Sequence, residues 1–229
     1  MDPVNVTLQY LPPMPPVQAF HFFNPLRFGS ELIYAIIVTA LFLFIFYKTK
    51  HLFDLTKHNG IKYFRVAFLF FAFAYISRFL FYVMRLIIFN TNLHVPGRFL
   101  SFASLILVTY FSTLAIGYLI YSSVWKKINH TTFVILVNVL ALITISIFYL
   151  RYPLIYFLLI QLSLMTTLLL INTKKRIRFV YPLISLFWIF NLIIFHTRRL
   201  LGFEAKLILQ IASILLLVYF IYRILKWTK

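Results

Sequence analysis

The chain has 229 residues, of which 63% are hydrophobic, 20% aromatic and only 11% charged. A water-soluble domain averages about 45–50% apolar and about 25% charged residues, so there is too little polar surface here to cover a soluble globule. The net charge is +18, from 22 Lys+Arg against 4 Asp+Glu, and there is no cysteine, which excludes disulfides, thiol catalysis and Cys-ligated metals.

The apolar residues come in long runs, without the two-residue alternation of a membrane β-barrel. Basic residues fill the short gaps between the runs. They therefore read as topology determinants, with attraction to anionic lipid headgroups of the bilayer as the second consequence, and no nucleic-acid partner is expected. The expected fold is an all-α membrane protein: a single seven-transmembrane-helix bundle over 31–229, preceded by a lead-in over 1–30.

The lead-in carries Pro3, Pro12, Pro13, Pro15, Pro16 and Pro25, a density through which no helix runs. It lacks the basic-then-apolar order of a signal peptide, and its aromatics (Tyr10, Phe20, Phe22, Phe23, Phe28) suit a membrane interface. The first span is predicted from Glu31 to Tyr47, capped by Ser30–Glu31. It continues as a basic helix end to a stop at Asn59-Gly60. The second covers Lys62 to Asn90 and holds Arg65, Arg78 and Arg85. The third runs from Phe99 to Val124, the fourth from Thr132 to Tyr149. The fifth starts at Pro153, a favoured first helical position, and ends at Ile171. The sixth spans Phe179 to His196 and the seventh Ala205 to Ile224.

Seven spans place the two termini on opposite sides. One set of gaps contains Lys48, Lys50, Lys57, Lys62, Arg65, Lys126, Lys127, Lys174, Lys175, Arg176, Arg178, Arg223, Lys226 and Lys229. The other contains Arg27, Arg98, Arg151, Arg198, Arg199 and Lys206. The positive-inside rule then puts the N-terminus outside and the C-terminus in the cytoplasm.

Arg65 and Arg85 are about 30 Å apart along a helix, the thickness of a bilayer core, so Arg78 lies within it. Such a residue costs about 2.5–3.5 kcal/mol to insert and is a functional-site hypothesis by default. Tyr75, Arg78, Tyr82 and Arg85 form one helical stripe. Asp2 belongs to the lead-in and Asp54 to the cytoplasmic end, which leaves Glu31 and Glu204 as carboxylate neighbours for Arg78. The predicted site is thus a polar outer pocket of Arg78, Arg85, Glu31, Glu204, Tyr75 and Tyr82, with Asn191, His196 and Gln210 as further lining. Asn138 and Gln161, in mid-span, are expected to hydrogen-bond between helices.

The six histidines fall at span ends without a metal-binding spacing, no HExxH, GxSxG or P-loop is present, and the four acidic residues are scattered. Neither a cofactor nor a catalytic role is expected.

The layout resembles the seven-helix sensor regions of prokaryotic signalling proteins, through Lys48 to Arg78: a basic helix end, His-Asn-Gly, then an Arg-bearing, Phe-rich span. That resemblance implies a receptor acting through a cytoplasmic or membrane partner, with no kinase output domain expected after the seventh span. The chain is also similar in size to microbial rhodopsins, but their mid-helix retinal lysine has no counterpart, since Lys206 starts the seventh span. It is similar in size and orientation to SWEET sugar transporters, whose repeat would imply pseudo-twofold symmetry.

Three functions fit. One is a receptor binding a small or lipidic ligand from the outer side. Another is a small transporter with Arg78 at an anion site, and the third is a structural subunit of a membrane complex. A confined outer pocket favours the first, pseudo-symmetry between spans 1–3 and 5–7 the second, and Arg78 bonded only to backbone carbonyls the third.

Overall fold

A computed structural model describes residues 25–91, 97–147, 153–172, 180–196 and 202–227. These form seven helices: α1 (Pro25–Thr56), α2 (Asn59–Thr91), α3 (Gly97–Val124), α4 (His130–Ser146), α5 (Pro153–Asn172), α6 (Val180–His196) and α7 (Phe203–Trp227). No strand occurs among the described residues. Four helices, α1, α2, α3 and α7, are long and apolar enough to cross a membrane; α4, α5 and α6 are shorter apolar helices.

Both ends of α1 differ from the sequence expectation. α1 begins at Pro25, so Ser30 and Glu31 lie within its opening turns and do not cap it. A proline at the first helical position loses no hydrogen bond that the helix would have made. Residues 25–30 thus belong to the helix and not to the lead-in; the rest of the lead-in is outside the described residues. At the other end α1 stops at Thr56, because Lys57 takes a left-handed conformation (φ 51°) and donates its N–H to the Phe53 carbonyl. Asn59 and Gly60, the expected stop, instead open α2, whose first turn is held by Gly60 N–H to His58 Nδ1 (3.1 Å).

α2 is the central element, packed most extensively against α3 and α1; α3 also contacts α4 and α5, and α7 joins α6 to α1. The reason is the apolar surface of α2 on nearly every side, since a helix that is hydrophobic all round must be buried or face lipid. The core is aromatic. Phe42 of α1 stacks on Phe71 (centroids 5.2 Å) and meets Phe68, Tyr75 and, edge-on, Phe187 of α6. Phe220 of α7 closes the layer against Phe68 (5.5 Å). Large apolar side chains also point outward, among them Ile135, Leu136, Val139, Leu142 and Ile143 along α4. Water would not tolerate a face of that extent, whereas lipid does.

The mid-helix amides bridge helices as expected. Gln161 of α5 donates to Thr113 of α3 (3.0 Å) and accepts from the Trp188 indole of α6 (3.2 Å). Asn138 of α4 accepts from the Tyr110 hydroxyl of α3 (2.6 Å).

Gly117 sets how closely α3 and α4 approach, because an added Cβ would collide with Val137 Cγ2. Valine is locked near one rotamer in a helix and cannot swing aside. Gly117→Ala should therefore destabilise the bundle by about 1–3 kcal/mol, the usual range for overpacking. Adding Val137→Ala should recover most of that loss in a detergent unfolding titration.

Candidate functional site

At one end of the bundle, α1, α2 and α7 bring a charged cluster out of contact with solvent. On α1, Glu31, Tyr34, Ala35, Val38, Phe42, Ile45 and Thr49 form a continuous buried stripe at helical spacing. Glu31 is its first member and therefore points inward, with only 5% of its surface exposed. On α7, Lys206, Gln210 and Ser213 form a matching buried stripe, and Lys206 is 3% exposed. The Lys206 ammonium pairs with Glu31 Oε1, and the Tyr82 hydroxyl of α2 donates to Glu31 Oε2. Arg78, one turn before Tyr82, donates from Nε to that same hydroxyl (3.4 Å). Tyr82 thus stands between the guanidinium and the carboxylate. The guanidinium also lies over the rings of Tyr34 (5.8 Å) and Tyr82 (5.9 Å).

A second layer extends this cluster toward the aromatic core. The hydroxyls of Tyr34 and Tyr75 both donate to Asn191 Oδ1 on α6, the first at 2.6 Å. Tyr34 is also 2.8 Å from Ser213 Oγ. Asn191 is oriented in turn by its amide N–H to the Phe187 carbonyl (2.8 Å). Four helices are therefore tied through one asparagine and one serine. Buried polar groups are costly unless bonded in this way.

Arg78 forms part of the wall of a small cavity, with Tyr75, Thr109 of α3, Phe157 of α5, and Trp188 and Asn191 of α6. Its volume is about 30 Å³, the space of roughly one water molecule. Its lining is mainly apolar, and Arg78 on its wall carries a guanidinium with five N–H groups. The arrangement suits a small anion, or the carboxylate tip of a larger one.

Of the six side chains expected at this site, the structure brings together Glu31, Tyr75, Arg78 and Tyr82. Arg85 and Glu204 are exposed and outside the cluster. Arg85 follows Arg78 by seven residues, where the stripe has risen beyond the buried part of α2. Glu204 precedes the buried stripe of α7 by two residues, which turns it outward. Asn191 and Gln210 are buried near the cluster, while the His196 side chain lies outside what is described. Arg78 bonds a tyrosine hydroxyl, so its contacts are not limited to carbonyls. Among the described residues, no three His, Cys, Asp or Glu side chains could hold a metal ion.

The chain is similar to a protein of Archaeoglobus fulgidus. The two are 27% identical over 229 residues, covering 93% of this chain and 99% of that protein, which is described only as an uncharacterized protein. No family model matches the chain, and no solved structure does.

Sequence reasoning missed Lys206, Tyr34 and Ser213. Charge alone places Lys206 in a gap, although its spacing to Gln210 and Ser213 (four, then three) marks a polar stripe on an otherwise apolar helix. Tyr34 lies three residues after Glu31, on the same face.

Proposed function

We propose that this chain is a receptor-type integral membrane protein that binds a small anionic ligand, or the acidic tip of a larger one, at Arg78. It would bind from the outer side and act through a partner protein. The membrane arrangement proposed with it is seven spans, N-terminus outside and C-terminus in the cytoplasm. The lysine- and arginine-rich gaps support that orientation. α4 and α6, with 17 residues each, reach about 26 Å, at the short end of what a span requires.

The observation that carries the functional reading is the buried guanidinium on the wall of a cavity, within a cluster tied to four helices. A ligand at Arg78 would compete for the hydroxyls and amide that join α1, α2, α6 and α7. It would thereby bias how those helices pack, which is what a receptor needs. The aromatic layer of Phe42, Phe68, Phe71, Phe187 and Phe220 lies between this cavity and the opposite end of the bundle. A site confined to one half suits sensing better than passage.

The transporter reading retains one favourable observation, a second and larger cavity at the other end of α2, α3 and α6, which line both. Passage would require the aromatic layer to open.

Anion binding is tested by thermal unfolding of the full chain in detergent with chloride, formate and acetate against a bulky anion such as gluconate. A ligand that binds only the folded chain stabilises it by about 2.7 kcal/mol at a hundredfold excess over its Kd, and the stabilisation goes on rising with the logarithm of ligand concentration. Wild type should show that logarithmic rise with the small anions, and Arg78→Gln should lose it. The same response in both proteins would remove Arg78 from the site.

A further inference from the structure

The larger cavity, about 540 Å³, opens between the ends of α1, α2, α3, α6 and α7 that lie furthest from Glu31. Its size falls within the range of small-molecule pockets, roughly 300–1,000 Å³. It owes its shape to a close approach at one edge: a Cβ on Gly60 would lie 2.9 Å from the Ser122 carbonyl, so α2 and α3 nearly touch there. The inner wall is mainly apolar, with Phe64 and Ile224 among its residues, and carries the hydroxyls of Ser123 and Tyr181, 3.1 Å apart. The exposed rim is cationic and aromatic. Lys126 and Lys127 belong to it, and the Lys126 ammonium lies 5.5 Å from the centre of the Trp125 ring. His58 packs edge-on against the same ring (5.4 Å). No acidic side chain is among the described wall residues.

We infer that this cavity is a binding site for an acidic amphiphile: a phosphate-bearing headgroup held by Lys126 and Lys127, with its apolar chain in the cavity. The two halves of the wall make opposite demands. Two lysines beside a tryptophan, at the end of apolar helices, match the level at which anionic headgroups sit in a bilayer. The deeper wall of Phe64 and Ile224 requires an apolar occupant, because leaving that surface wet forfeits its hydrophobic stabilisation. Free phosphate would meet the first demand and not the second. A neutral lipid would meet the second and not the first. The site is separated from Arg78 by the aromatic layer and does not depend on anion binding there.

The test is a calorimetric titration of the full chain in uncharged detergent with three probes: dihexanoyl phosphatidic acid, dihexanoyl phosphatidylcholine and inorganic phosphate. Phosphatidic acid should bind saturably at one site, and more tightly than either other probe. Lys126→Gln/Lys127→Gln should weaken it roughly 30-fold, from the usual contribution of a lysine facing an acidic lipid surface. Lys48→Gln/Lys50→Gln removes two exposed lysines from α1 that are not part of the wall, and should leave binding unchanged. All four substituted positions are exposed, and circular dichroism with monodisperse elution establishes that the variants fold. Three results would each overturn the inference. Equal binding of phosphatidylcholine would make the cavity a generic apolar one. Equal binding of phosphate alone would make the ligand a free anion. Equal weakening by the α1 pair would reduce the effect to overall surface charge.

Discussion

Lys206→Met should be among the most destabilising single changes in the bundle, at about 3–5 kcal/mol, the usual cost of removing one partner from a buried ion pair. Methionine fills most of the space of the lysine stem, so little of the loss would come from packing. The cost arises because Glu31, 5% exposed on the inner face of α1, would lose the ammonium paired with it. Glu31→Gln alone strands Lys206 in the same way, although the amide oxygen can still accept from Tyr82. The double variant Lys206→Met/Glu31→Gln removes both charges of the pair, with the Arg78 guanidinium still in the cluster. It should be markedly more stable than the sum of the two single losses predicts, as expected for residues in direct contact. The measurement is reversible unfolding in mixed micelles for all four proteins of the cycle. Additive single losses would mean that the pair contributes no mutual stabilisation, and that α1 and α7 are joined by the Tyr34–Ser213 contact and apolar packing.

That pair also marks where the sequence stops being informative. The helices were legible because their apolar runs are long and their ends are punctuated: α3 ends at Val124, just before the expected Trp125-Lys126-Lys127 stop, and α5 starts at Pro153 as expected. The ends of α1 were misplaced because local preference has several equivalent outlets. Pro25 can begin a helix as well as prevent one, and a left-handed Lys57 ended α1 before Asn59-Gly60 was reached. Arg78 stood out because a charge inside an apolar run is expensive wherever it faces. Its neighbourhood was only half legible. Tyr75 and Tyr82 follow from the geometry of their own helix. The choice between Glu31 and Glu204 depends on which face α1 and α7 turn to the core, and that is decided by contacts across more than 150 residues of sequence.

Lys206 illustrates the same limit. Formal charge argued for a place at a membrane face, whereas the stripe with Gln210 and Ser213 argued for burial, and burial won because Glu31 stands opposite. Of the lysine-rimmed cavity, the sequence shows the Trp125-Lys126-Lys127 rim and not the space behind it. The cavity exists because five helix ends surround a space at whose edge Gly60 and Ser122 nearly touch, a property of the assembly and of no single segment.

Phe42→Ala should remove about 3–5 kcal/mol, the range for deleting a buried aromatic ring. Phe42 is fully buried and touches rings from α2 and α6 at once: Phe68, Phe71, Tyr75 and Phe187. In an apolar solvent such as lipid, helices gain little from hydrophobic exclusion and depend on close packing instead, so the lost dispersion contacts are felt directly. Phe42→Leu keeps most of the volume and should lose less, about 1.5 kcal/mol or under if the neighbours repack. Function gives this substitution a second readout. Phe42 sits in the layer separating the Arg78 cavity from the cavity at the lysine-rich end, and on α2 those cavities are bounded by Ala74 and Phe64, about 15 Å apart along the helix. If the protein is a receptor, Phe42→Ala destabilises it without creating a path, because the remaining rings of Phe68, Phe71, Phe187 and Phe220 still fill the layer. Anion flux into proteoliposomes should then stay at the lipid background for wild type and variant alike. Wild-type flux above that background, abolished by Arg78→Gln and raised by Phe42→Ala, would overturn the receptor reading in favour of transport through the bundle.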